Sequence, residues 1–187
     1  MLFFEGSNAL PNGDRVELTN FQCKLLESYC DGSTKVITSR RCGISTTNAF
    51  FAIWKAIMAP KVTIVMCEPS HDMSRCLQNH MRDIYNTLKY DSVSITNYRN
   101  NITEFSNGSI IRFKSANIIN RIVVYNSIDV FIADSLNMVN PKSIDLLHIL
   151  LGPYMGTAIL SSCGDQPNMI LPYCDNIVYG IGSDARI

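Results

Sequence analysis

Residues 40–46, Arg40-Arg41-Cys42-Gly43-Ile44-Ser45-Thr46, have the types and spacing of a phosphate loop that lacks its lysine. They follow a short β-branched run, Lys35-Val36-Ile37-Thr38, and precede an apolar segment with helical spacing, Thr47 to Met58. A strand, a tight turn and a helix N-terminus in that order form an anion cradle. Successive backbone N–H groups point inward, and the helix dipole adds partial positive charge. In the usual motif the second glycine is followed by a lysine that reaches the β- and γ-phosphates, then by a Ser or Thr on Mg²⁺. Gly43 and Ser45 hold their places here, and Ile44 occupies the lysine position. The same residues would also suit an ordinary strand-to-helix turn, because Ser and Thr cap helices and Gly tolerates the turn before them.

The elements that must position this loop alternate strand and helix. Thr19 or Asn20 caps a helix running to about Tyr29, with Phe21, Leu25 and Leu26 on its buried side. A buried strand at 34–38 leads into the loop, and a helix at 45–59 is closed by Pro60. Lys61 to Cys67 has the composition of a central parallel strand, Glu68-Pro69-Ser70 turns the chain, and a helix spans about His71 to Leu88. Asn107-Gly108 marks a hairpin between Ile102–Phe105 and Ser109–Lys114. Ser127 to Ala133 is another buried strand and ends in Asp134. A short helix is expected at 141–151 behind Pro141, a strand at Thr157–Ser162, and a loop-rich remainder. This pattern predicts an α/β domain with a mostly parallel sheet flanked by helices. Ligands of such sheets bind beyond the carboxyl ends of the strands, where the loop, Asp134 and Ser162-Cys163 all fall.

Composition fits one domain of this kind. The chain has 187 residues, 47% hydrophobic and 17% charged, enough for a proper core. Its 16 basic and 16 acidic residues cancel, which argues against a domain built to coat nucleic acid. The dispersed cations read more simply as solvated surface than as phosphate contacts, and Tyr98-Arg99-Asn100-Asn101 is expected to be a polar loop, again more simply solvated than in contact with a nucleic-acid strand. Seven cysteines without a CxxC pair, and three histidines apart from them, suggest neither a zinc site nor a disulfide framework; reduced, mostly buried thiols are expected. The start, Met1-Leu2-Phe3-Phe4-Glu5, does not read as a signal peptide. No apolar run of about 18 residues is present to span a membrane. Residues 1–18 read as an irregular lead-in and 19–187 as a single domain.

Taken in order, these pieces resemble the ATPase domain of the viral large terminase subunit, the motor that packages DNA in tailed phages and herpesviruses. The resemblance covers about residues 20–170. It rests on the loop Ser39 to Thr46, the hairpin Phe105 to Ile111 followed by Ser115-Ala116, the strand ending at Asp134, and the Ser161-Ser162 turn. It implies a P-loop NTPase fold of the terminase and RecA type, with ATP or ADP and Mg²⁺ as ligands. Gln22 falls at an adenine-contacting glutamine, and Arg40 and Arg41 in the arginine-bearing part of the loop. Ser45 falls at the Mg²⁺-coordinating hydroxyl, Asp134 at the Walker B aspartate, and Ser161 and Ser162 in the segment that couples hydrolysis to motion. Each has a plainer alternative: a solvated helix residue for Gln22, an exposed basic turn for the arginines, a cap for Asp134, a strand end for the serines.

The departures from the family pattern are as informative as the matches. Ile44 removes the charge that neutralises the β- and γ-phosphates, and one charge-assisted contact is worth about 1.5–3 kcal/mol. Ser135 stands where the family has the glutamate that activates water, a role worth about 10²–10⁴-fold. Arg121 is followed by Ile122 where the family has a glycine. Thr38 sits where some relatives carry a displaced lysine, so that substitute is absent too. Glu68 or Asp165 could stand in for the missing carboxylate, though nothing in the sequence requires it. The resemblance therefore implies a catalytically impaired pseudo-ATPase of viral origin whose nucleotide binding is weakened or lost. It would act through a packaging protein, another protein partner or DNA, inside the infected cell (cytoplasm or nucleus) or in the virion. An active motor with a deviant loop and a purely structural module are the alternatives. Only Asp175 and Asp184 lie beyond Asp165, so no nuclease domain is expected.

Overall fold

The computed structural model describes residues 18–88, 92–116, 128–140, 155–164 and 176–180. Helix α1 (Asn20–Asp31), strand β1 (Thr34–Thr38), helix α2 (Ile44–Met58), strand β2 (Thr63–Glu68) and helix α3 (His71–Leu88) come first. An antiparallel meander follows, made of β3 (Ile95–Arg99), β4 (Ile102–Phe105) and β5 (Ile110–Ser115). Strand β6 (Ile128–Ala133), a 3-10 turn at Leu136–Met138, β7 (Met155–Cys163) and β8 (Asn176–Gly180) are the remaining described elements.

All eight strands join one sheet in the order β3-β4-β5-β2-β6-β7-β1-β8. From β5 to β8 each neighbouring pair is parallel, which is the mostly parallel α/β sheet that the sequence pattern predicts. Side chains alternate between the faces of a strand. On one face Val36, Ile64, Met66, Val130, Ile132 and Ile159 pack into a continuous core with α1, α2 and α3. On the other face Ile37, Val65, Phe131 and Leu160 are buried as well. A sheet buried on both faces explains why β2 and β6 read as unbroken apolar runs rather than alternating ones.

Local chemistry sets the helix boundaries. Thr19 caps α1 in a capping box: its hydroxyl accepts from the Gln22 amide at 3.2 Å, and its own amide donates to Gln22 Oε1 at 2.9 Å. The Met73 amide donates to Ser70 Oγ at 3.2 Å at the start of α3, which buries Ser74, Leu77, Gln78, Met81, Ile84 and Leu88 along one stripe. In the β4–β5 hairpin Gly108 takes φ +85°, the left-handed conformation that the Asn-Gly signal anticipates.

The structure corrects three expectations. Tyr98 and Arg99 belong to strand β3, and only Asn100-Asn101 form the turn. Buried Gln78 holds that turn: its Nε2 donates to the carbonyls of Arg99 (2.8 Å) and Ile102 (3.1 Å), while the Asn101 amide donates to its Oε1. Residues 176–180 form a strand where a loop was expected, paired with β1, whose hydrogen-bonding edge needed a partner. The thiols are free but not mostly buried. Of the six described, Cys42 and Cys67 are buried, Cys23 and Cys163 half-buried, Cys30 and Cys76 exposed. The lead-in over 1–17, Arg121, the helix expected at 141–151, Asp165, Cys174, Asp175 and Asp184 lie outside the described residues.

Candidate functional site

The start of the loop between β1 and α2 is anchored on both sides of β1. The Ser39 amide donates to the Gly180 carbonyl at 3.1 Å, and the Gly164 amide donates to the Thr38 carbonyl at 2.9 Å. Within the loop, the buried Cys42 thiol donates to the Ser39 carbonyl at 2.9 Å. Gly43, with φ +71°, is the residue that turns the chain into α2. A Cβ here would lie 2.6 Å from Gln22 Nε2, so the position needs glycine for conformation and for space. Thr47 then closes the first helical turn, its amide and hydroxyl both donating to the Gly43 carbonyl.

Ser45 and Asp134 meet across the sheet end. Ser45 Oγ donates to Asp134 Oδ2 at 2.5 Å. Asp134 Oδ1 accepts from Ser161 Oγ at 2.5 Å and from the Ser135 amide at 2.7 Å. The loop hydroxyl, the carboxylate after β6 and the β7 serine are thus one hydrogen-bonded unit. A hydroxyl beside a buried carboxylate is the pair that a P-loop site uses to hold Mg²⁺.

Glu68 adds a second carboxylate. The ladder between β2 and β6 pairs Cys67 with Ala133, and the Asp134 amide donates to the Cys67 carbonyl at 3.0 Å, so Glu68 is level with Asp134 on the same face. Glu68 is only 4% exposed, and its carboxylate makes no hydrogen bond or ion pair with a described residue. Burial, reinforced by the charge of Asp134, pushes its pKa up to about 8. The neighbouring Cys67 thiol, on the opposite face, is pushed up to about 12 by burial and then by Glu68. Tyr29 is also raised by burial and then by Asp134; its hydroxyl donates to Asn48 Oδ1 at 2.9 Å under the site.

Two buried hydroxyls near the loop have no partner, those of Thr38 and Ser162. Thr38 pairs with Cys163 and Val36 with Ser161, so Thr38 shares the face of Ser161 and Asp134. Ser162 pairs with Ile37 and faces the other way. Ser161 and Ser162 therefore separate: Ser161 bonds Asp134 and Ser162 faces away from it.

The phosphate side of the loop is barer. Ile44 is buried in the core, 8% exposed, among the residues of α1, α2 and the sheet. Arg40 and Arg41 are exposed, Arg41 with a left-handed φ of +69°. Thr46 Oγ1 lies 3.3 Å from His80 Nε2 on α3. Gln22 is not the solvated helix residue of the plainer alternative. It is buried, its Oε1 is spent on the capping box, and its Nε2 lies against Gly43. Ser135 takes a left-handed φ of +54° and is half-buried.

The donors fit a magnesium ion. Ser45, Asp134 and Glu68 offer hard oxygens, and Mg²⁺ characteristically takes one or two carboxylates and completes its shell from water and phosphate. No group of three or more His, Cys, Asp or Glu side chains that could hold a metal ion gathers among the described residues.

No protein-family model and no curated protein matches the sequence. Solved structures do match. The large terminase ATPase domain of Thermus phage P74-26 superposes with a TM-score of 0.66 at 13% identity, over 88% of this chain and 81% of that one. The chain has a terminase-like fold. A large terminase from a thermophilic bacteriophage, in complex with ADP, gives 0.62 at 11% identity, over 90% of this chain and 46% of its own. The Hef helicase domain of Pyrococcus furiosus gives 0.61 at 9% identity, over 88% and 38%. At such identities the likeness concerns the fold, a P-loop NTPase fold that terminases share with helicases, and this chain spans under half of the ADP-bound terminase. No helix among the described residues of this terminase-like chain is long and apolar enough to cross a membrane.

What the sequence reading underrated is Glu68. Its signal was present: β2 and β6 are both apolar runs that end in an acid, Glu68 and Asp134. Adjacency of the two strands makes that shared ending meaningful, and adjacency is a property of topology.

Proposed function

We propose that this chain is a terminase-like P-loop domain that binds a nucleoside di- or triphosphate together with Mg²⁺, hydrolyses it poorly, and acts on a partner through the state of that site. The observation that carries the reading is the 2.5 Å hydrogen bond between Ser45 and Asp134 beneath a glycine-turned loop, beside an Ile44 folded into the core. The metal-binding half of a nucleotide site is assembled, while the lysine's place is filled by a side chain that cannot reach a phosphate. Gln22 would support the loop from below more than it would read adenine, since its amide is engaged there. When bound, Mg²⁺ would be held by Ser45 and Asp134 and would neutralise phosphate charge. The partner is a packaging-assembly protein or DNA, in keeping with the terminase and helicase folds that the chain resembles.

Melting temperature with and without millimolar ATP or ADP and Mg²⁺ tests this, beside an Ile44→Lys/Ser135→Glu variant. A ligand at 100 times its Kd adds about 2.7 kcal/mol of stability. The expected result is a small Mg²⁺-dependent shift in the natural protein and a larger one in the variant. No shift in either protein would overturn the reading in favour of a purely structural module.

A further inference from the structure

We infer that the site selects its ligand by the phosphate chain and not by the base. Nucleoside triphosphates of any base, and inorganic tripolyphosphate, are taken alike, and Gln22 is a positioning residue of the loop. The inference rests on the reading that a nucleoside di- or triphosphate binds there with Mg²⁺, and goes beyond it by naming the part of that ligand which the chain recognises.

A carboxamide reads adenine through two bonds at once, its oxygen accepting from the N6 amino group and its nitrogen donating to N7. Both ends of the Gln22 carboxamide are committed to the chain itself. Oε1 accepts from the Thr19 amide at 2.9 Å, and the Thr19 hydroxyl accepts from the Gln22 amide at 3.2 Å, so the capping box fixes the side chain. Nε2 is packed on the loop turn, 2.6 Å from the place that a Cβ on Gly43 would occupy. The whole residue is 7% exposed. Swinging the carboxamide out to meet a base would break the cap of α1 and remove the backing of Gly43. The aromatic ring beside it is closed off as well. Phe21 is 8% exposed, and two of its ring atoms lie 2.5 and 2.8 Å from the place of a Cβ on Gly180, the residue whose carbonyl takes the Ser39 amide. A ring this buried has no open face for a base to stack on.

The groups left to a ligand at this edge of the sheet suit phosphate. Helix α2 begins at Ile44 with no side-chain cap, which leaves its first-turn amides to an anion. Thr38 ends β1 where the loop begins, and its hydroxyl is buried, 3% exposed, without a partner. It shares the face of Ser161 and Asp134, and Asp134 with Ser45 forms the metal-holding pair. Each of these senses phosphate charge or its metal and is blind to the base. A bidentate contact to one base discriminates about 5- to 150-fold. With the carboxamide spent on the loop, that discrimination is lost.

The experiment follows melting temperature against ligand concentration in excess Mg²⁺ and extracts an apparent Kd for ATP, GTP, UTP and inorganic tripolyphosphate, with adenosine as control. It uses the natural protein, Gln22→Ala, and Gln22→Glu, which keeps the capping box and should fold. In the natural protein the three nucleotides are expected within about fivefold of one another. Tripolyphosphate should shift the melting temperature too, and adenosine should not. Gln22→Ala should weaken all four phosphate ligands by the same factor, and in neither variant should the ratio of ATP to GTP and UTP change. A preference beyond about fivefold for any one base would overturn the inference while leaving nucleotide binding intact. So would a shift by nucleotides with none by tripolyphosphate, or a base ratio that moves in either variant. Identical Kd values in Gln22→Ala and the natural protein would remove the positioning role of Gln22. No shift with any phosphate ligand would sink the proposed function and this inference together.

Discussion

The two flanks of the loop between β1 and α2 are built differently. On the inner flank Ser45, Asp134 and Ser161 are knitted by hydrogen bonds of 2.5 Å, and Glu68 is buried level with Asp134. On the outer flank Ile44 has joined the core, and Arg40 and Arg41 are exposed. On the proposed reading, the difference is that expected of a nucleotide site that loses its ligand contacts piece by piece. A lysine at position 44 performs only by reaching a ligand, so an apolar residue there costs the fold nothing and gains packing. A carboxylate at position 134 satisfies the buried Ser161 hydroxyl whether or not a ligand arrives, so the fold itself draws on it.

The largest test of this contrast lies in pH. A carboxyl group raised from 4.5 to about 8 in the folded chain is held neutral where the unfolded chain ionises it. Below pH 4.5 it is protonated in both states and costs nothing. As pH climbs from there to about 8, the folded state retains a proton that the unfolded state has lost, and stability falls. Each unit of separation corresponds to about 1.4 kcal/mol, so the whole window amounts to a few kcal/mol at most. Denaturant unfolding from pH 5 to 8.5 should therefore show stability declining with pH, and Glu68→Gln should flatten the curve and gain most at the alkaline end. An equally steep decline in Glu68→Gln would place the titrating group elsewhere and weaken the picture of two facing carboxylates.

Removing the other carboxylate should act in the opposite direction. Asp134→Ala removes the carboxylate that accepts from the buried Ser161 hydroxyl, 2% exposed, and leaves that hydroxyl a weaker 3.3 Å bond to the Ala133 carbonyl, while water can replace Asp134 at the exposed Ser45 hydroxyl and the half-buried Ser135 amide. A buried polar group left without a partner costs about 1–3 kcal/mol. Loss of about 1–3 kcal/mol is expected in chemical denaturation at neutral pH, with Ser161→Ala losing less and the two losses not adding. A neutral Asp134→Ala would mean that the inner flank exists for the ligand alone, and the contrast between flanks would disappear.

How far the sequence reveals all this depends on the distance over which a signal acts. The capping box of Thr19 and Gln22, the Asn107-Gly108 turn and the apolar stripe of α3 are encoded within a few residues and could be read directly. So could the loop, because strand, glycine and capping hydroxyls follow one another. Strand β8 could not: Asn176 to Gly180 is short, half-exposed and made a strand by the open edge of β1. Glu68 beside Asp134, and Ser161 separated from Ser162 by the pleat, depend on which strands are neighbours and in what register. The fate of Ile44 was half legible. Its type excluded a phosphate contact, but its membership of the core followed from the packing of α2 against the sheet.

The smallest effect on the fold carries the sharpest question about the outer flank. Arg40 is exposed, and its guanidinium makes no ion pair or hydrogen bond with a described residue. It is close enough to the site for its charge to be felt by the half-buried Cys163 thiol, where it opposes the upward push of burial and of Asp134. Surface changes away from packed or bonded groups alter stability by about 0.5 kcal/mol or less, so Arg40→Ala should melt like the natural protein when no nucleotide is present. With ATP and Mg²⁺ the two readings of the outer flank part. If the loop backbone and Ser45 hold phosphate unaided, the ligand-induced shift of Arg40→Ala equals that of the natural protein. If the arginine turns inward to replace the missing lysine, the variant loses a charge-assisted contact worth about 1.5–3 kcal/mol. Its shift then collapses at ligand concentrations that still shift the natural protein. The asymmetry between flanks predicts equality: the guanidinium has no built position, and ordering it over phosphate would cost side-chain entropy of about 1.5–2 kcal/mol, which offsets most of that contact.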